Sequence, residues 1–321
     1  MKTQMVLIGR ATERAMKGFQ AHFDVHLAGT ADEFERIANE MGAEIEAAAT
    51  SGHYGMTAEQ MDALPNLKVV SGFGVGYETI DADYAARKGI LVGHTPDVLN
   101  RDVANTAIML LLATSRRLIR DNKWLSSGDW KRHGDAPHTH SIEGKPVGIV
   151  GLGRIGEVIA EKLGAFNCVV SYHTRNKKTD SPLTYYADLV ALARDVDYLI
   201  VIVPGGTGTH KLINRPVIDA LGRDGTLINI ARGSVVDEAE LVEALGEGRL
   251  GAAGLDVFEN EPDVPEALLT MDNVVLTPHV GSATIETRTA MDNLFVDNLV
   301  RYFKDGRIPA PVPECAGLQD G

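Results

Sequence analysis

The chain contains little cysteine and no long run of apolar residues. Among its 321 residues only Cys168 and Cys315 are cysteines, which excludes the disulfide framework of small secreted domains and favours a reducing compartment. The longest apolar runs, residues 107–113 and 199–203, are far shorter than the ~20 residues of a membrane-spanning helix. The apolar run within residues 1–9 is too short for a signal peptide and predicts a first strand. We therefore expect a cytoplasmic protein that does not enter a membrane.

Positive charge is also scarce. Lysine and arginine number 31 against 44 aspartate and glutamate residues, which makes the formal net charge −13. Such a surface repels a phosphate backbone overall, so nucleic-acid binding is not expected. With 44% hydrophobic and 23% charged residues, the composition is that of an ordinary globular protein. The length exceeds what one hydrophobic core usually holds and predicts two domains.

Short apolar segments rich in β-forming residues alternate with helical patterns along the chain, which is typical of parallel sheets with crossover helices. The strands predicted in the first part cover residues 5–8, 23–27, 43–48, 67–70 and 90–93. Those predicted in the second part cover residues 147–150, 168–172, 198–203, 225–230, 252–257 and 274–276. A helix is predicted over residues 31–41 with Thr30 or Asp32 as its cap, a longer one over 102–117, and a loop over 126–145.

The last predicted helix decides how the two domains are connected. It covers residues 284–303 and is long enough to return to the first part of the chain. We therefore predict an α/β fold of two Rossmann-like, doubly wound parallel-sheet domains. A dinucleotide-binding domain, residues 99–285, is inserted into a smaller substrate domain formed by residues 1–98 and 286–321.

A glycine-rich turn, Gly151-Leu-Gly-Arg-Ile-Gly156, follows one of these strands and opens a helix. The triplet alone is a weak signal, but between a strand and a helix it matches a dinucleotide-binding fingerprint. Gly151 would make the tight turn, Gly153 would let the backbone approach a pyrophosphate, and Gly156 would allow close packing of helix and strand. The helix N-terminus would meet the phosphate charge with free N–H groups. The alternative is a plain glycine-rich turn.

The residues about 20 positions further on bear on the choice of cofactor. Sites that prefer NAD carry an acidic residue there, bonded to the ribose 2′-hydroxyl. This chain instead has Thr174 and Arg175, followed by Lys177 and Lys178, with no acid before Asp180. We predict NADPH as the preferred cofactor because this basic turn would neutralise a 2′-phosphate. The alternative is a solvated basic turn.

A second glycine-rich segment, Gly72-Phe-Gly-Val-Gly76, is not another fingerprint because Thr79 stands where the third glycine would fall. It belongs to the first domain. The backbone N–H groups of Val75 and Gly76 would form a concave anion site for a substrate carboxylate. A purely structural turn is the alternative.

Three polar side chains stand just beyond three predicted strands of the second domain: Arg232, Glu261 and His279. Ligands bind at the carboxyl ends of strands in open α/β sheets, so we expect the three in one site. The planar fork of Arg232 can hold a carboxylate and a carbonyl oxygen. A carboxylate bonded to one imidazole nitrogen stabilises the imidazolium and leaves the other N–H as a proton donor. Taken singly, the histidine could be structural and the arginine could cap a turn, but together they are the groups that reduction of a 2-keto acid needs.

These motifs together resemble those of the D-isomer-specific 2-hydroxyacid dehydrogenases. The resemblance extends from about residue 69 to residue 287. The segments that carry it are residues 151–160, 230–238, 254–262 and 278–284. Within that family the chain is most similar to the glyoxylate/hydroxypyruvate reductase and hydroxyphenylpyruvate reductase branch, which is typically NADPH-linked. The resemblance implies Arg232 as substrate anchor, His279 as general acid and Glu261 as its partner.

The same resemblance implies contacts with the cofactor and with a second subunit. Asp256 and Ser282 would lie near the nicotinamide amide, with Arg154 and Ile155 beside the pyrophosphate. The other positions expected to contact the cofactor are Pro204, Thr209 and Ala231. A homodimer is implied, with the helix over residues 102–117 and the loop after it at the interface.

Two segments depart from the family pattern. The chain has Pro204-Gly-Gly-Thr207 where many members have Pro-Leu-Thr, which would alter the wall of the cofactor pocket. The segment around His53 and Tyr54 is unusual, and either side chain could face the substrate. Trp130 could reach a substrate pocket across the dimer.

Three histidines of the predicted loop, His133, His138 and His140, invite a metal hypothesis. No cysteine or compact set of carboxylates accompanies them, so we expect no metal site.

The function predicted from these residues is NADPH-dependent reduction of a small 2-keto acid, of the glyoxylate or hydroxypyruvate type, to the D-2-hydroxy acid. Two alternatives stay open. One is a reductase of a bulkier phenylpyruvate or sugar-derived keto acid. The other is a non-catalytic, nucleotide-sensing binding protein on the same fold.

Overall fold

The computed structural model describes residues 2–319. Within them the strands are β1 (Thr3–Ile8), β2 (Phe23–Ala28), β3 (Ile45–Ser51), β4 (Val69–Phe73), β5 (Leu91–Gly93), β6 (Pro146–Val150), β7 (Val169–His173), β8 (Thr184–Tyr185), β9 (Tyr198–Val201), β10 (Thr226–Asn229), β11 (Ala252–Leu255) and β12 (Val274–Leu276). The helices are α1 (Glu13–His22), α2 (Ala31–Met41), α3 (Ala58–Asp62), α4 (Ala82–Lys88), α5 (Asn100–Ser115), α6 (Leu118–Ser126), α7 (Asp129–His133), α8 (Arg154–Gly164), α9 (Leu189–Asp195), α10 (Arg215–Leu221), α11 (Glu238–Gly246), α12 (Glu266–Thr270) and α13 (Ile285–Asp305). Short 3₁₀ turns cover Gly233–Val235 and Pro313–Gln319.

The described residues form two compact units. Unit 1 contains residues 2–99 and 284–319, and unit 2 contains residues 100–283, so unit 2 lies in sequence between the two segments of unit 1. These limits differ from those of the predicted domains by one residue at the first boundary and by two at the second. Each unit is built on one all-parallel sheet with crossover helices, which confirms the predicted α/β fold class.

The sheet of unit 1 has the strand order β2-β1-β3-β4-β5. Helices α1 and α13 pack together on it, and the ring of Phe19 meets the ring of Phe295 edge-on with centroids 5.0 Å apart. The last helix therefore packs within the unit formed by the first part of the chain, as predicted. Helix α2 begins at Thr30, whose hydroxyl accepts the Glu33 N–H in a capping box, so Thr30 rather than Asp32 is the cap.

The sheet of unit 2 has the strand order β8-β7-β6-β9-β10-β11-β12. The six strands predicted here are present, and the prediction missed a seventh. This strand, β8, has two residues and pairs only with β7, so no apolar run marks it in the sequence. The order of connection reverses between the adjacent strands β6 and β9, and open α/β sheets bind dinucleotides at this point, outside the carboxyl ends of the strands.

The region after α5 differs from its prediction. The long helix ends at Ser115 instead of residue 117, since Arg117 takes a left-handed conformation with φ of 50°. The loop predicted over residues 126–145 contains α7 between Gly128 and Gly134, which both have positive φ. This five-residue helix has no apolar periodicity and could not be recognised in the sequence.

Across residues 2–319, no helix combines the length and apolar character that crossing a membrane requires.

Candidate active site

The loops that follow β10, β11 and β12 carry Arg232, Glu261 and His279 at one edge of the unit 2 sheet. The structure brings the last two side chains into direct contact, with His279 Nδ1 2.7 Å from Glu261 Oε2. A carboxylate can only accept, so Nδ1 carries the proton of this bond and Nε2 is left for another partner. The second carboxylate oxygen, Oε1, accepts the Phe258 N–H at 3.1 Å, which fixes the orientation of the carboxylate.

The charge state of Glu261 follows from its surroundings. Burial by itself raises the pKa of this carboxyl group, because a charge is costly away from water. The hydrogen bond and positive charge of His279, the Phe258 N–H and the charge of Arg232 together outweigh burial, and the pKa of Glu261 lies below its ordinary value. The group is therefore an anion at neutral pH.

His279 stands in a left-handed backbone conformation with φ of 51°, which is uncommon for a residue other than glycine. Asp256, which is 2% exposed, holds this loop in place. Its Oδ1 accepts the hydroxyl of Thr277 at 2.6 Å and the Val280 N–H at 2.8 Å, and its Oδ2 accepts the Gly281 N–H at 2.8 Å. Its backbone carbonyl accepts the His279 N–H at 2.8 Å. Asp256 thus shapes the histidine loop, and its predicted contact with the nicotinamide amide stays a prediction.

The turn that carries Arg232 is shaped by its neighbours. The buried side chain of Asn229 accepts the Ala231 N–H at 3.0 Å and donates to the Arg232 carbonyl at 3.1 Å. A Cβ at Gly233 would lie 1.9 Å from the carbonyl carbon of Phe258. Only glycine lets this turn approach the loop after β11 so closely, and that approach places Arg232 near Glu261.

Glu238, at the start of α11, fixes the loop that follows β11. Its buried carboxylate accepts the Glu259 N–H at 3.1 Å, two residues before Glu261. Burial raises the pKa of Glu238 and the charge of Glu259 adds to this, while the bonded N–H lowers it. Sequence reasoning missed the positioning roles of Asn229, Glu238 and Thr277. The one available signal was Asn229, a turn-forming residue directly after an apolar strand.

The glycines of the fingerprint have distinct surroundings. Gly151 has φ of 103°, and a Cβ there would lie 2.3 Å from the Ile202 carbonyl oxygen. A Cβ at Gly156 would lie 2.2 Å from the Gly151 oxygen, so the tight turn and the close helix–strand contact both exclude a side chain. Around Gly153 there is open space, and no side chain caps the helix that begins after it. The N-terminus of α8, at the turn of Arg154 and Ile155, therefore has room beside Gly153 for a bound group.

The cations of the basic turn after β7 differ in their contacts. Lys178 is paired with Glu157 of α8. Arg175 is exposed and has no ion pair among the described residues. Its Nη2 would lie 3.3 Å from a Cβ at Gly208, so the guanidinium reaches the loop after β9. Arg175 thus lies against Gly208, the residue after the departure from the family pattern at residues 204–207.

The remaining candidate cofactor residues are spread around this edge of the sheet. The hydroxyl of Thr209 donates to the Pro204 carbonyl at 2.6 Å and closes the loop after β9. Thr174 turns its hydroxyl to the Asn176 carbonyl at 2.7 Å. Ala231 is buried, and Ser282 is partly exposed directly after the histidine loop.

In unit 1, Val75 and Gly76 follow β4, and their N–H groups have no acceptor among the described residues. Tyr54 packs against Gly9, where a Cβ would lie 2.2 Å from the ring, and the His53 ring meets the Tyr54 ring edge-on at 5.0 Å. Trp130, in unit 2, is largely exposed.

The histidines of residues 133–140 do not gather around a common point. His133 lies 3.5 Å from Asp129. Throughout residues 2–319, no group of three or more His, Cys, Asp or Glu residues is arranged to hold a metal ion.

Comparisons with known proteins point in one direction. The family model for the NAD-binding domain of D-isomer-specific 2-hydroxyacid dehydrogenases matches residues 108–281. Hydroxyphenylpyruvate reductase of Plectranthus scutellarioides is 51% identical over 268 residues, covering 84% of this chain and 85% of that protein. Glyoxylate/hydroxypyruvate reductase A of Arabidopsis thaliana is 48% identical over 268 residues, with coverage of 84% and 85%. The crystal structure of an NADPH-dependent glyoxylate/hydroxypyruvate reductase from Sinorhizobium meliloti, in complex with NADP and malonate, superposes with a TM-score of 0.90 at 45% identity over 98% of both chains.

Proposed function

The chain belongs to the D-isomer-specific 2-hydroxyacid dehydrogenases, oxidoreductases of CH–OH donors that use a nicotinamide cofactor, and from this premise we propose that it reduces a small 2-keto acid with NADPH. The substrate is of the glyoxylate or hydroxypyruvate type and the product is the D-2-hydroxy acid. The observation that carries this proposal is the 2.7 Å contact between His279 and Glu261 beside the turn of Arg232.

The mechanism assigns one task to each of these side chains. When bound, the reduced cofactor supplies the hydride for C2 of the keto acid. Arg232 holds the substrate carboxylate and polarises the carbonyl oxygen through its planar fork. His279 gives the proton on Nε2 to that oxygen as negative charge develops there. Glu261, an anion at neutral pH, stabilises the imidazolium and fixes the orientation of the ring through the bond to Nδ1.

The residues of unit 2 fit a dinucleotide and favour one that carries a 2′-phosphate. The open backbone at Gly153 and the first turn of α8 suit a pyrophosphate. Arg175 is a cation without an ion pair in the described part of the chain and stands where NAD-preferring sites carry an acid. The Sinorhizobium meliloti neighbour is named as NADPH-dependent.

The first experiment compares initial rates with NADPH and NADH for glyoxylate, hydroxypyruvate and hydroxyphenylpyruvate. We expect faster turnover with NADPH and the small acids. Fast turnover of hydroxyphenylpyruvate alone would favour the second candidate, a reductase of aromatic keto acids, because a relative with 51% identity carries that name. Binding of NADPH without turnover of any keto acid would favour a nucleotide-sensing protein and contradict the proposal.

In the same assay, Arg175→Ala is expected to lower kcat/KM for NADPH by about tenfold or more, because a charge-assisted bond to the 2′-phosphate is lost. The value for NADH should change little, since NADH lacks that phosphate. Arg194→Ala removes another exposed arginine of unit 2 and is the matched control. Equal losses with both cofactors would contradict a role for Arg175 in choosing NADPH.

We propose a homodimer formed through residues 109–130. Within this segment the apolar side chains of Met109, Leu118, Ile119, Leu125 and Trp130 are 46–59% exposed. Several exposed apolar side chains on the successive helices α5, α6 and α7 favour an interaction surface. Sedimentation of the 34.5 kDa chain should give a dimer, and Leu125→Arg should shift it towards the monomer. Leu269→Arg, at an isolated exposed leucine, is the control, and an unshifted Leu125→Arg dimer would place the interface elsewhere.

A further inference from the structure

The proposed carboxylate site of unit 1, at Val75 and Gly76, is supported by two consecutive buried residues directly after β5, His94 and Thr95. The hydroxyl of Thr95 accepts the Gly74 N–H at 2.9 Å, and the Thr95 N–H donates to the Gly74 carbonyl at 2.8 Å. Nδ1 of His94 lies 3.0 Å from the Val75 carbonyl oxygen. A carbonyl only accepts, so His94 is the donor of this bond. Neither side chain has a part in the mechanism above.

These bonds determine where two N–H groups point. In a planar trans peptide the C=O and the N–H point in opposite directions. The Gly74 carbonyl is turned towards Thr95, so the N–H of Val75, in the same peptide, points away from it. The Val75 carbonyl is turned towards His94, so the N–H of Gly76 points away as well. Both N–H groups are without an acceptor within residues 2–319.

The His94–Thr95 segment is itself fixed to the core of unit 1. Asn298 of α13 is fully buried, and its Nδ2 donates to the His94 carbonyl at 3.0 Å and lies 3.2 Å from the Ser71 hydroxyl oxygen. The His94 N–H donates to the Ala310 carbonyl at 3.0 Å. The bonds to Gly74 and Val75 therefore start from a rigid platform, which is the condition for an oriented anion site.

We propose that His94 and Thr95 are positioning residues of the substrate carboxylate site, which they prepare by aiming the N–H groups of Val75 and Gly76 at the anion. The inference rests on the proposed reduction of a keto acid. It adds that a buried imidazole outside the catalytic pair tunes substrate affinity through the backbone. The ligand class is a small carboxylate, and the interaction precedes hydride transfer.

The test compares His94→Leu, which has no donor, with His94→Asn, whose amide can place an N–H where Nδ1 stood. Measurements are KM and kcat for the keto acid, inhibition by oxamate, NADPH binding by fluorescence, and Tm. We expect His94→Leu to raise KM and the oxamate inhibition constant together, by about tenfold, and by more than any fall in kcat. NADPH binding should stay within about twofold, and His94→Asn should recover most of the affinity.

Two results would overturn the proposal: unchanged affinities for keto acid and oxamate in folded His94→Leu, or an equal loss in His94→Asn. If His94→Leu does not fold, Thr95→Val and Thr95→Ser make the same comparison, since only serine keeps the acceptor for the Gly74 N–H. Oxamate binding to the NADPH complex, measured by calorimetry, separates this proposal from the proposed function. If the wild-type protein turns over no keto acid and His94→Leu still weakens oxamate binding, the carboxylate site is supported and the proposed reaction is contradicted.

Discussion

Arg232→Ala is expected to lower kcat/KM for the keto acid by about 10³-fold. The guanidinium would hold the substrate carboxylate and also meet the charge that develops on the carbonyl oxygen, and loss of one such donor commonly costs about 10²–10³-fold in rate. The turn itself should persist, because Asn229 and Gly233 shape it through backbone contacts that do not use the arginine side chain. Steady-state kinetics, with NADPH binding and Tm as readouts of the intact fold, measures the effect.

Two variants make this result specific. Arg232→Lys keeps the positive charge without the planar fork, so it should recover only part of the loss. Arg223→Ala removes an exposed arginine near the opposite end of β10 and should leave the kinetics unchanged. Full activity in Arg232→Ala, or equal losses in Arg223→Ala, would rule out the assigned anchor.

His279→Ala is expected to lower kcat for reduction by about 10²–10⁴-fold, which is the usual contribution of a positioned general acid. Affinity for NADPH should be retained, because the proposed fingerprint lies in a different loop. With chemistry as the limiting step, a kcat that stays within a few-fold of the wild type would exclude His279 as the proton donor.

The partner of the histidine sets the pH range in which reduction proceeds. The pKa of Glu261 is below its ordinary value, so the carboxylate is charged at neutral pH and loses its charge only as the pH falls through that lowered value. Its stabilisation of the pair is therefore present at neutral pH and lost in acid. Reduction needs this charged partner, so kcat/KM should fall as the pH drops through the lowered pKa of Glu261.

Glu261→Gln removes the carboxylate that titrates in acid, so the acid-side fall should disappear from the profile, and kcat/KM at neutral pH should drop because the imidazole loses its anionic partner. Glu259→Gln removes an exposed charge two residues away that does not touch the imidazole, and it should leave the profile in place. Profiles of kcat/KM against pH for the three proteins measure the effect. An unmoved profile in Glu261→Gln would contradict the assigned role of the carboxylate.

Much of the fold was accessible to sequence reasoning because its strands are buried on both faces. Runs such as residues 198–203 are almost wholly apolar, and turn residues interrupt them at regular intervals. Elements without this signature escaped prediction. Strand β8 has two residues and no apolar run, and α7 is a short charged helix between two glycines.

The sequence by itself determined that this chain is a two-unit α/β protein of the 2-hydroxyacid dehydrogenase family with a glycine fingerprint and an Arg, Glu and His beyond three strands. Periodicity and motif spacing are local properties, so the amino-acid sequence alone is enough to recognise them. Only the tertiary structure decided that Glu261 touches Nδ1 of His279, that Lys178 is consumed by Glu157 while Arg175 is not, and that Asp256, Glu238 and His94 hold the loops. These are contacts between residues far apart in the chain. These residues meet because parallel strands end at a common edge of the sheet. Glycine, which has no Cβ, also lets backbone segments approach closely enough for the contacts to form.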